Sequence, residues 1–173
     1  DFGALSPLFL ELFRAEPGEA MFLGPGELHA YLRGSAVEIM ASSDNVLRSG
    51  CTNKHVDPQE LLRVLNFEAG GPVPVEPLLQ APGVERFSPP VDEFELFRIA
   101  ADRTPRQLRR NGTVAPPLIV LAISGTIAVE AEELEPALLE PGESVYVTPG
   151  TAGVDVAGPG VAYCAAPAGG VKR

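Results

Sequence analysis

Short apolar runs separated by turn residues occupy most of the chain and predict a β-rich fold. The runs with the length and composition of strands are residues 8–13, 20–23, 36–40, 94–99, 118–123 and 126–129. Between the last two runs, Ser124-Gly125 is a two-residue hairpin signal. Short strands with evenly spaced turns favour a jelly roll or β-sandwich.

One segment departs from this pattern and predicts a helix near residues 58–66. Asp57 suits the N-cap, Pro58 the first helical position, and Glu60 the position that closes a capping box. The leucines of this segment would face a core, and Gly70-Gly71 would end the run.

Residues 16–29 recur as residues 140–153 at a constant offset of 124. Both copies begin Glu-Pro-Gly-Glu and carry a Pro-Gly turn before their last residue. A repeat of this size indicates two copies of one structural unit. The first copy ends on His29 and the second on Gly153, so the sequence predicts one working barrel and one structural barrel.

The spacing around the repeat suggests how the chain is divided. Gly142 comes 51 positions after Val91, whereas Gly18 has 17 residues before it. Residues 1–69 are therefore expected to form the C-terminal part of a barrel whose front strands are missing, as in the C-terminal part of a longer protein. The proline-rich residues 70–90 predict a linker or crossover, and residues 91–173 a second, complete jelly roll.

Composition narrows the function classes. Apolar residues make up 45% of the 173 positions and charged residues 21%, as in soluble globular proteins. A net charge of −10 argues against non-specific nucleic-acid binding and against an anionic membrane surface. No apolar run reaches the roughly 18 residues of a membrane span, and no signal peptide is recognised. Two cysteines are too few for a disulfide framework, so a reducing, cytoplasmic location is expected.

His29 is the first candidate for chemistry. At the end of a jelly-roll turn its imidazole would point into the barrel mouth, where it could bind zinc, iron or manganese. A catalytic zinc needs three or four protein ligands, and His55 with Cys51 is a weak source of more. A hydrogen-bonded structural histidine is the alternative.

Other polar residues follow His29 along the chain. Arg48 and Lys54 occupy a Gly-containing loop and could bind a phosphate or an enediolate oxygen, or could be ordinary surface charges. Glu38 lies in an apolar segment and would face the barrel mouth or the solvent side of an edge strand. Tyr31 would share a strand face with His29, where it binds substrate or simply packs.

Several of these strings together resemble the type I mannose-6-phosphate isomerases of the cupin superfamily. The matching strings, in chain order, are Leu5-Ser6-Pro7-Leu8-Phe9-Leu10, Pro25-Gly26-Glu27-Leu28-His29-Ala30-Tyr31-Leu32, Val37-Glu38-Ile39-Met40-Ala41, Ser43-Asp44-Asn45-Val46-Leu47-Arg48 and Thr52-Asn53-Lys54-His55-Val56-Asp57. The match is dense over about residues 5–68 and loose afterwards. The combination of His-Ala-Tyr with Ser-Asp-Asn-x-x-Arg is specific to this family.

The resemblance implies a zinc-dependent aldose–ketose isomerase that interconverts mannose 6-phosphate and fructose 6-phosphate through an enediolate. His29 matches the family's fourth zinc ligand, Arg48 its catalytic arginine and Lys54 a cation in the same pocket. Tyr31 and Glu38 match positions that line the substrate pocket. The implied fold is mainly β: a partial catalytic cupin barrel, a short helix, and a complete non-catalytic cupin jelly roll.

The sequence departs from the family in what it lacks. The family's other zinc ligands, a Gln-x-His pair and a glutamate, come from an N-terminal half absent from these residues, and Asn53 stands where proline is usual. Zinc is therefore expected to need ligands from outside this chain. A metal-free sugar-phosphate-binding or interaction module of cupin fold is the alternative function, and a stand-alone cupin dioxygenase is a third. Exposed strand edges also predict self-association.

Overall fold

The computed structural model describes residues 2–43, 46–68, 70–108, 116–131, 135–151 and 153–168. Within these ranges a 3-10 helix spans Phe2–Leu8 and one α-helix, α1, spans Pro58–Val64. The strands are β1 (Met21–Phe22), β2 (Val73–Pro74), β3 (Leu78–Ala81), β4 (Val84–Phe87), β5 (Glu95–Ala101), β6 (Arg106–Gln107), β7 (Leu118–Ser124), β8 (Ile127–Glu130), β9 (Ala137–Leu139), β10 (Ser144–Val147), β11 (Asp155–Ala157) and β12 (Gly160–Ala166).

The chain divides into two compact units. Unit 1 contains Asp1–Ala36 and Ser42–Val75, and unit 2 contains Val37–Ala41 and Glu76–Arg173. The helix predicted near residues 58–66 and the first copy of the repeat lie in unit 1, and the second copy lies in unit 2.

Unit 2 is an antiparallel β-sandwich. Its larger sheet has the order β10-β7-β12-β5-β4-β3 and its smaller sheet the order β6-β11-β8-β9. Ile99, Val120 and Cys164 of the larger sheet share one buried cluster with Ile127 and Val156 of the smaller sheet. The apolar cluster therefore lies between the two sheets, as expected for a sandwich, and the open, mainly β architecture confirms the predicted fold class.

Unit 1 is held by local turns, one short strand pair and α1. The strands β1 and β2 pair antiparallel, with Met21 opposite Pro74. The Asp57 carboxylate accepts hydrogen bonds from the backbone N–H groups of Gln59 and Glu60 at 3.1 and 3.0 Å, which confirms the predicted N-cap. The Glu60 carboxylate accepts from Arg63 at 3.1 Å. Among the described side chains of unit 1, none is buried.

Two predicted strands of the first half are not formed. Residues 8–13 were expected as a strand, but the 3-10 helix ends at Leu8 and no strand follows over 9–13. Residues 36–40 also form no strand, although exposure alternates from Val37 to Ala41 as in an extended segment. Apolar runs form strands only when a neighbouring strand supplies hydrogen bonds, and composition does not reveal that neighbour.

The proline-rich residues 70–90 are more ordered than a linker. They contain β2, β3 and β4, and the last two form a hairpin on the edge of the larger sheet of unit 2. Pro77 and Pro82 flank β3 rather than interrupt it, which is where a residue without an N–H is tolerated. One of the boundaries between the two units falls between Val75 and Glu76, and the others fall on either side of Val37–Ala41.

The sequence repeat is also a structural repeat. In residues 16–19 and 140–143 the N–H of the last residue donates to the carbonyl of the first, at 3.0 and 2.9 Å. In both copies the carboxylate of the last residue accepts from the N–H of the first, at 2.8 and 2.9 Å. Gly18 and Gly142 have the same φ of 92°, a left-handed value that glycine adopts at little cost. The two copies therefore share one backbone turn closed by a glutamate.

Candidate functional site

His29 follows the second turn of the first repeat copy. The Glu27 N–H donates to the Gly24 carbonyl at 3.4 Å, and Gly26 between them has a φ of 78°. The carbonyl of Gly26 accepts from the Asn66 N–H at 2.9 Å, just beyond the end of α1. This bond fixes the turn to the helix, so α1 helps to set where His29 begins its short extended segment.

The His29 ring is oriented by the backbone. Its Nδ1 lies 2.9 Å from the carbonyl oxygen of Glu27. A carbonyl oxygen only accepts, so Nδ1 carries the proton and, in the neutral ring, Nε2 presents a lone pair. Metal-binding histidines commonly have this arrangement, in which the second ring nitrogen is held by a carbonyl or carboxylate. The imidazole is exposed and therefore accessible to a ligand.

Tyr31 lies beside His29, as the sequence predicted. The two ring centroids are 5.8 Å apart and the ring planes meet at 67°, an edge-to-face contact. The tyrosine is 67% exposed, so its ring supports the imidazole on one side and leaves much of its own surface open. The pair is formed without a regular strand, because residues 29–31 have none.

Arg48 and Lys54 lie in an exposed loop of unit 1 that leads into α1. Gly50 has a φ of 146° and Cys51 a φ of 53°, so the backbone turns sharply between the two cations. The Lys54 N–H then donates to the Thr52 hydroxyl at 3.1 Å. The loop thus presents two positive charges separated by a tight, locally bonded bend.

Glu38 is in a different part of the fold. It lies in the Val37–Ala41 segment, which belongs to unit 2, and its side chain is exposed. The strand expected around it is not formed. Its assignment to substrate binding therefore stays a prediction.

The described residues of this chain do not form a complete metal site. In the part of the chain that the structure describes, no group of three or more His, Cys, Asp or Glu side chains could hold a metal ion. A catalytic zinc takes three or four protein ligands, and His29 Nε2 offers one. The zinc ligand set implied by the resemblance therefore does not fit these residues alone.

Unit 2 holds charged groups that the sequence analysis did not single out. Glu95 is 4% exposed and pairs with Arg86 at 3.6 Å, while Arg98 donates to Glu85 at 2.8 Å on the same two strands. Strand alternation alone could have flagged Glu95, since its parity on β5 is that of the buried Ile99. The second repeat copy ends on Gly153, which has no side chain to bind a metal.

No family model matches the chain, but known proteins do. Mannose-6-phosphate isomerase of Salmonella typhimurium is 38% identical over 166 residues, which is 92% of this chain and 40% of that protein. The Escherichia coli enzyme of the same name is 38% identical over 164 residues, and mannose-6-phosphate isomerase 2 of Arabidopsis thaliana is 44% identical over 96 residues. The chain thus spans 40% of the length of the bacterial relatives.

Solved structures agree with these relatives. Phosphomannose isomerase of Salmonella typhimurium in its apo form has a TM-score of 0.74 and 30% identity, covering 96% of this chain and 42% of that one. The same enzyme bound to its substrate, fructose 6-phosphate, and to zinc has a TM-score of 0.75, again over 96% of this chain. These similarities confirm the resemblance that the motifs indicated. No helix among the described residues is long and apolar enough to cross a membrane.

Proposed function

Because the chain is homologous to mannose-6-phosphate isomerases over 92% of its length, we propose that it is part of such an isomerase. The reaction is the interconversion of mannose 6-phosphate and fructose 6-phosphate. The observation that carries the proposal is the neighbour with bound fructose 6-phosphate and zinc, whose fold is shared over 96% of this chain. In this proposal the chain supplies one side of the active site, and the remaining zinc ligands come from outside it.

His29 has the chemistry of a zinc ligand. The Glu27 carbonyl holds Nδ1–H and directs Nε2 outward, so the ring needs no reorientation to bind a cation. Zinc, when bound, would supply a positive charge that polarises a substrate oxygen. Tyr31 makes an edge-to-face contact with the imidazole.

Arg48 and Lys54 would supply positive charge in addition to that of the zinc ion. Aldose–ketose isomerisation moves a proton from C2 to C1 through an enediolate, whose oxygen carries negative charge as it forms. The Arg48 guanidinium can bind such an oxygen or a phosphate with two parallel hydrogen bonds, and Lys54 adds a point charge. Glu38 and Tyr31 are assigned to sugar binding, where a carboxylate and a phenol hydroxyl would bond to sugar hydroxyls.

The two copies of the repeat suggest that two parts of the chain have different roles. Residues 1–69 are assigned to the catalytic cupin barrel, since His29, Arg48 and Lys54 all lie there. Residues 91–173 are assigned to the non-catalytic cupin, with the β3–β4 hairpin now attached to it. This assignment follows the repeat, whose second copy keeps the turn and has glycine in place of the histidine.

The proposal is tested by supplying the missing part. The chain is co-expressed with the portion of the Salmonella typhimurium enzyme that it does not match, and zinc content and isomerase turnover are measured. We expect zinc and turnover from the combination. We expect His29→Ala to lose at least tenfold in zinc affinity, whereas His55→Ala, which changes another exposed histidine, keeps it.

Two results would contradict the proposal. One is a combination that contains zinc and turns over equally well with His29→Ala. The other is binding of fructose 6-phosphate by this chain alone with a chelator present, abolished by replacing Arg48 and Lys54 but not His29. That second result would favour the metal-free sugar-phosphate-binding module.

A further inference from the structure

The helix α1 is joined to the two parts of unit 1 that carry candidate chemistry. Its first residue, Pro58, comes four positions after Lys54, so the loop of the two cations runs directly into it. Just beyond its other end, the Asn66 N–H donates to the Gly26 carbonyl at 2.9 Å, in the turn that precedes His29. One short helix therefore connects the cation loop to the turn before the candidate ligand.

The contact between the end of α1 and this turn is a close approach of two backbones. A Cβ added at Gly26 would lie 2.6 Å from the Val64 carbonyl oxygen and 3.2 Å from the Asn66 nitrogen. The next residue of the turn is Glu27, whose carbonyl accepts from His29 Nδ1 at 2.9 Å. The helix end thus packs one residue away from the carbonyl that orients the imidazole.

α1 has few means of stabilisation besides its N-cap. It spans seven residues, none of them buried, and helices shorter than about 12 residues are marginal in water unless they pack. The ion pair of Arg63 with Glu60 is exposed, and such pairs contribute little. The Asp57 carboxylate, in contrast, accepts from two N–H groups of the first turn, those of Gln59 and Glu60, through one oxygen. Formation of the helix therefore depends strongly on Asp57.

We propose that Asp57 is a positioning residue that acts on His29 through α1. Its carboxylate keeps the helix formed, the helix end holds the Gly26 turn, and the turn keeps the Glu27 carbonyl where it accepts from Nδ1. Loss of the cap would loosen the turn, and the neutral ring would no longer be restricted to the tautomer that presents Nε2. This inference rests on the proposed function, in which His29 is a metal ligand.

Substitutions at Asp57 can separate the cap from the charge. Asparagine caps helices about as well as aspartate, whereas alanine does not. Asp57→Asn therefore keeps the capping bonds and removes the negative charge, and Asp57→Ala removes both. Asp102→Ala is the matched control, because the Asp102 carboxylate also accepts from a backbone N–H, that of Thr104 at 2.7 Å, but lies in unit 2.

The test uses the full chain without metal or substrate. Amide hydrogen exchange is measured at Leu65 and Asn66. The nitrogen chemical shifts of the His29 ring report its tautomer under mildly alkaline conditions, where imidazole is neutral. In the parent chain we expect Nδ1–H to predominate. In Asp57→Ala we expect exchange at both amides to become roughly fivefold faster, the factor that a typical N-cap is worth, and the Nδ1–H share to fall.

The other two variants should behave differently from Asp57→Ala. Asp57→Asn should restore exchange to within about twofold of the parent and return the ring to its parent tautomer. Asp102→Ala should leave both readouts unchanged. Equal losses in Asp57→Asn and Asp57→Ala would overturn the inference, since the charge and not the cap would then matter.

Two further results would also overturn it. Faster exchange at Leu65 in Asp57→Ala, with the His29 ring unchanged, would give Asp57 a role in helix stability alone. An Asn66 amide that already exchanges freely in the parent chain would show that the helix does not hold the turn.

The readouts separate this inference from the proposed function, because they need neither zinc nor turnover. The expected pattern in the chain, with no zinc and no turnover from the combination with the missing portion, would keep the positioning role and reject the isomerase assignment. An active combination, with Asn66 exchange and the His29 ring unchanged by Asp57→Ala, would keep the isomerase assignment and reject the positioning role.

Discussion

At the scale of single residues, His29 and its turn show what sequence can and cannot predict. The Pro25-Gly26 turn and the histidine after it were predictable, because a Pro-Gly pair specifies the backbone locally. The bond from Asn66 to the Gly26 carbonyl was not, since it joins residues that are 40 positions apart. The Nδ1 bond to Glu27 also depends on that turn. Local chemistry thus predicted the candidate ligand, and the bond from Asn66 holds the turn that precedes it.

Replacing Gly26 separates backbone strain from steric clash. An added Cβ at Gly26 would lie 2.6 Å from the Val64 carbonyl oxygen at the end of α1. At Gly18, whose φ is also positive, it would meet nothing within 4 Å. We expect Gly18→Ala to cost about 1 kcal/mol, from the left-handed backbone alone. Gly26→Ala should cost more and should speed hydrogen exchange of the Asn66 amide at least tenfold.

The measurement is hydrogen exchange by NMR on the two variants and the parent chain. Gly18→Ala is the matched control, because it lies in the same unit and the same repeat copy. Equal exchange rates for Asn66 in both variants would show that the Gly26 turn does not depend on α1.

At the scale of elements, the three strands predicted in the second half of the chain are formed, whereas two of those predicted in the first half are not. The strands expected at 94–99, 118–123 and 126–129 appear as β5, β7 and β8, shifted by at most two residues at their ends. The apolar runs and the Ser124-Gly125 turn carried enough information to predict these three strands. Residues 8–13 are equally apolar but do not pair with another strand in the structure. The β3–β4 hairpin was not predicted, because the prolines of residues 70–90 indicated a linker or crossover.

The strand β12 supports a prediction about pH. It lies between β5 and β7 in the larger sheet and points Cys164 into the core. Burial, and secondarily the nearby charge of Glu95, raise the pKa of this thiol from 9.0 to about 12. In the unfolded chain the thiol ionises from about pH 9, whereas in the fold it stays protonated. Stability is therefore complete below pH 9 and falls as the pH rises toward 12.

Cys164→Ala should remove this pH dependence. Ionisation of the Cys164 thiol stabilises the unfolded state of the parent, and the variant has no thiol there to ionise. We therefore expect the difference in unfolding free energy between parent and variant to shrink by about 1 kcal/mol between pH 9 and pH 10. Denaturant unfolding at the two pH values measures it. Cys51→Ser, which changes an exposed cysteine, is the control and should leave the difference unchanged. A parent and a Cys164→Ala variant with parallel pH profiles would contradict the assignment.

At the scale of the whole molecule, the two copies of the turn belong to units that differ in how many of their described side chains are buried. The copy at residues 140–143 belongs to a sandwich with a closed apolar core. The copy at residues 16–19 belongs to the unit that carries the candidate zinc ligand and has no buried side chain among those described. The repeat in the sequence corresponds to a turn that recurs in the structure at both places. The difference in burial between the two units could not be predicted from the repeat, because burial depends on contacts that a sequence motif does not specify.

Among the described residues only unit 2 has a buried core. We therefore predict that the thermal unfolding transition of the chain alone reflects the unfolding of unit 2. Ile99 is 0% exposed between the two sheets, so Ile99→Ala should cost about 2–5 kcal/mol and lower the main thermal transition. Leu61 on α1 is only half-buried, and Leu61→Ala should leave that transition unchanged. Hydrogen exchange should likewise show strong protection on β5, β7 and β12 and weak protection through most of unit 1. A main transition that Leu61→Ala lowers as much as Ile99→Ala would mean that unit 1 unfolds cooperatively with the sandwich without a partner.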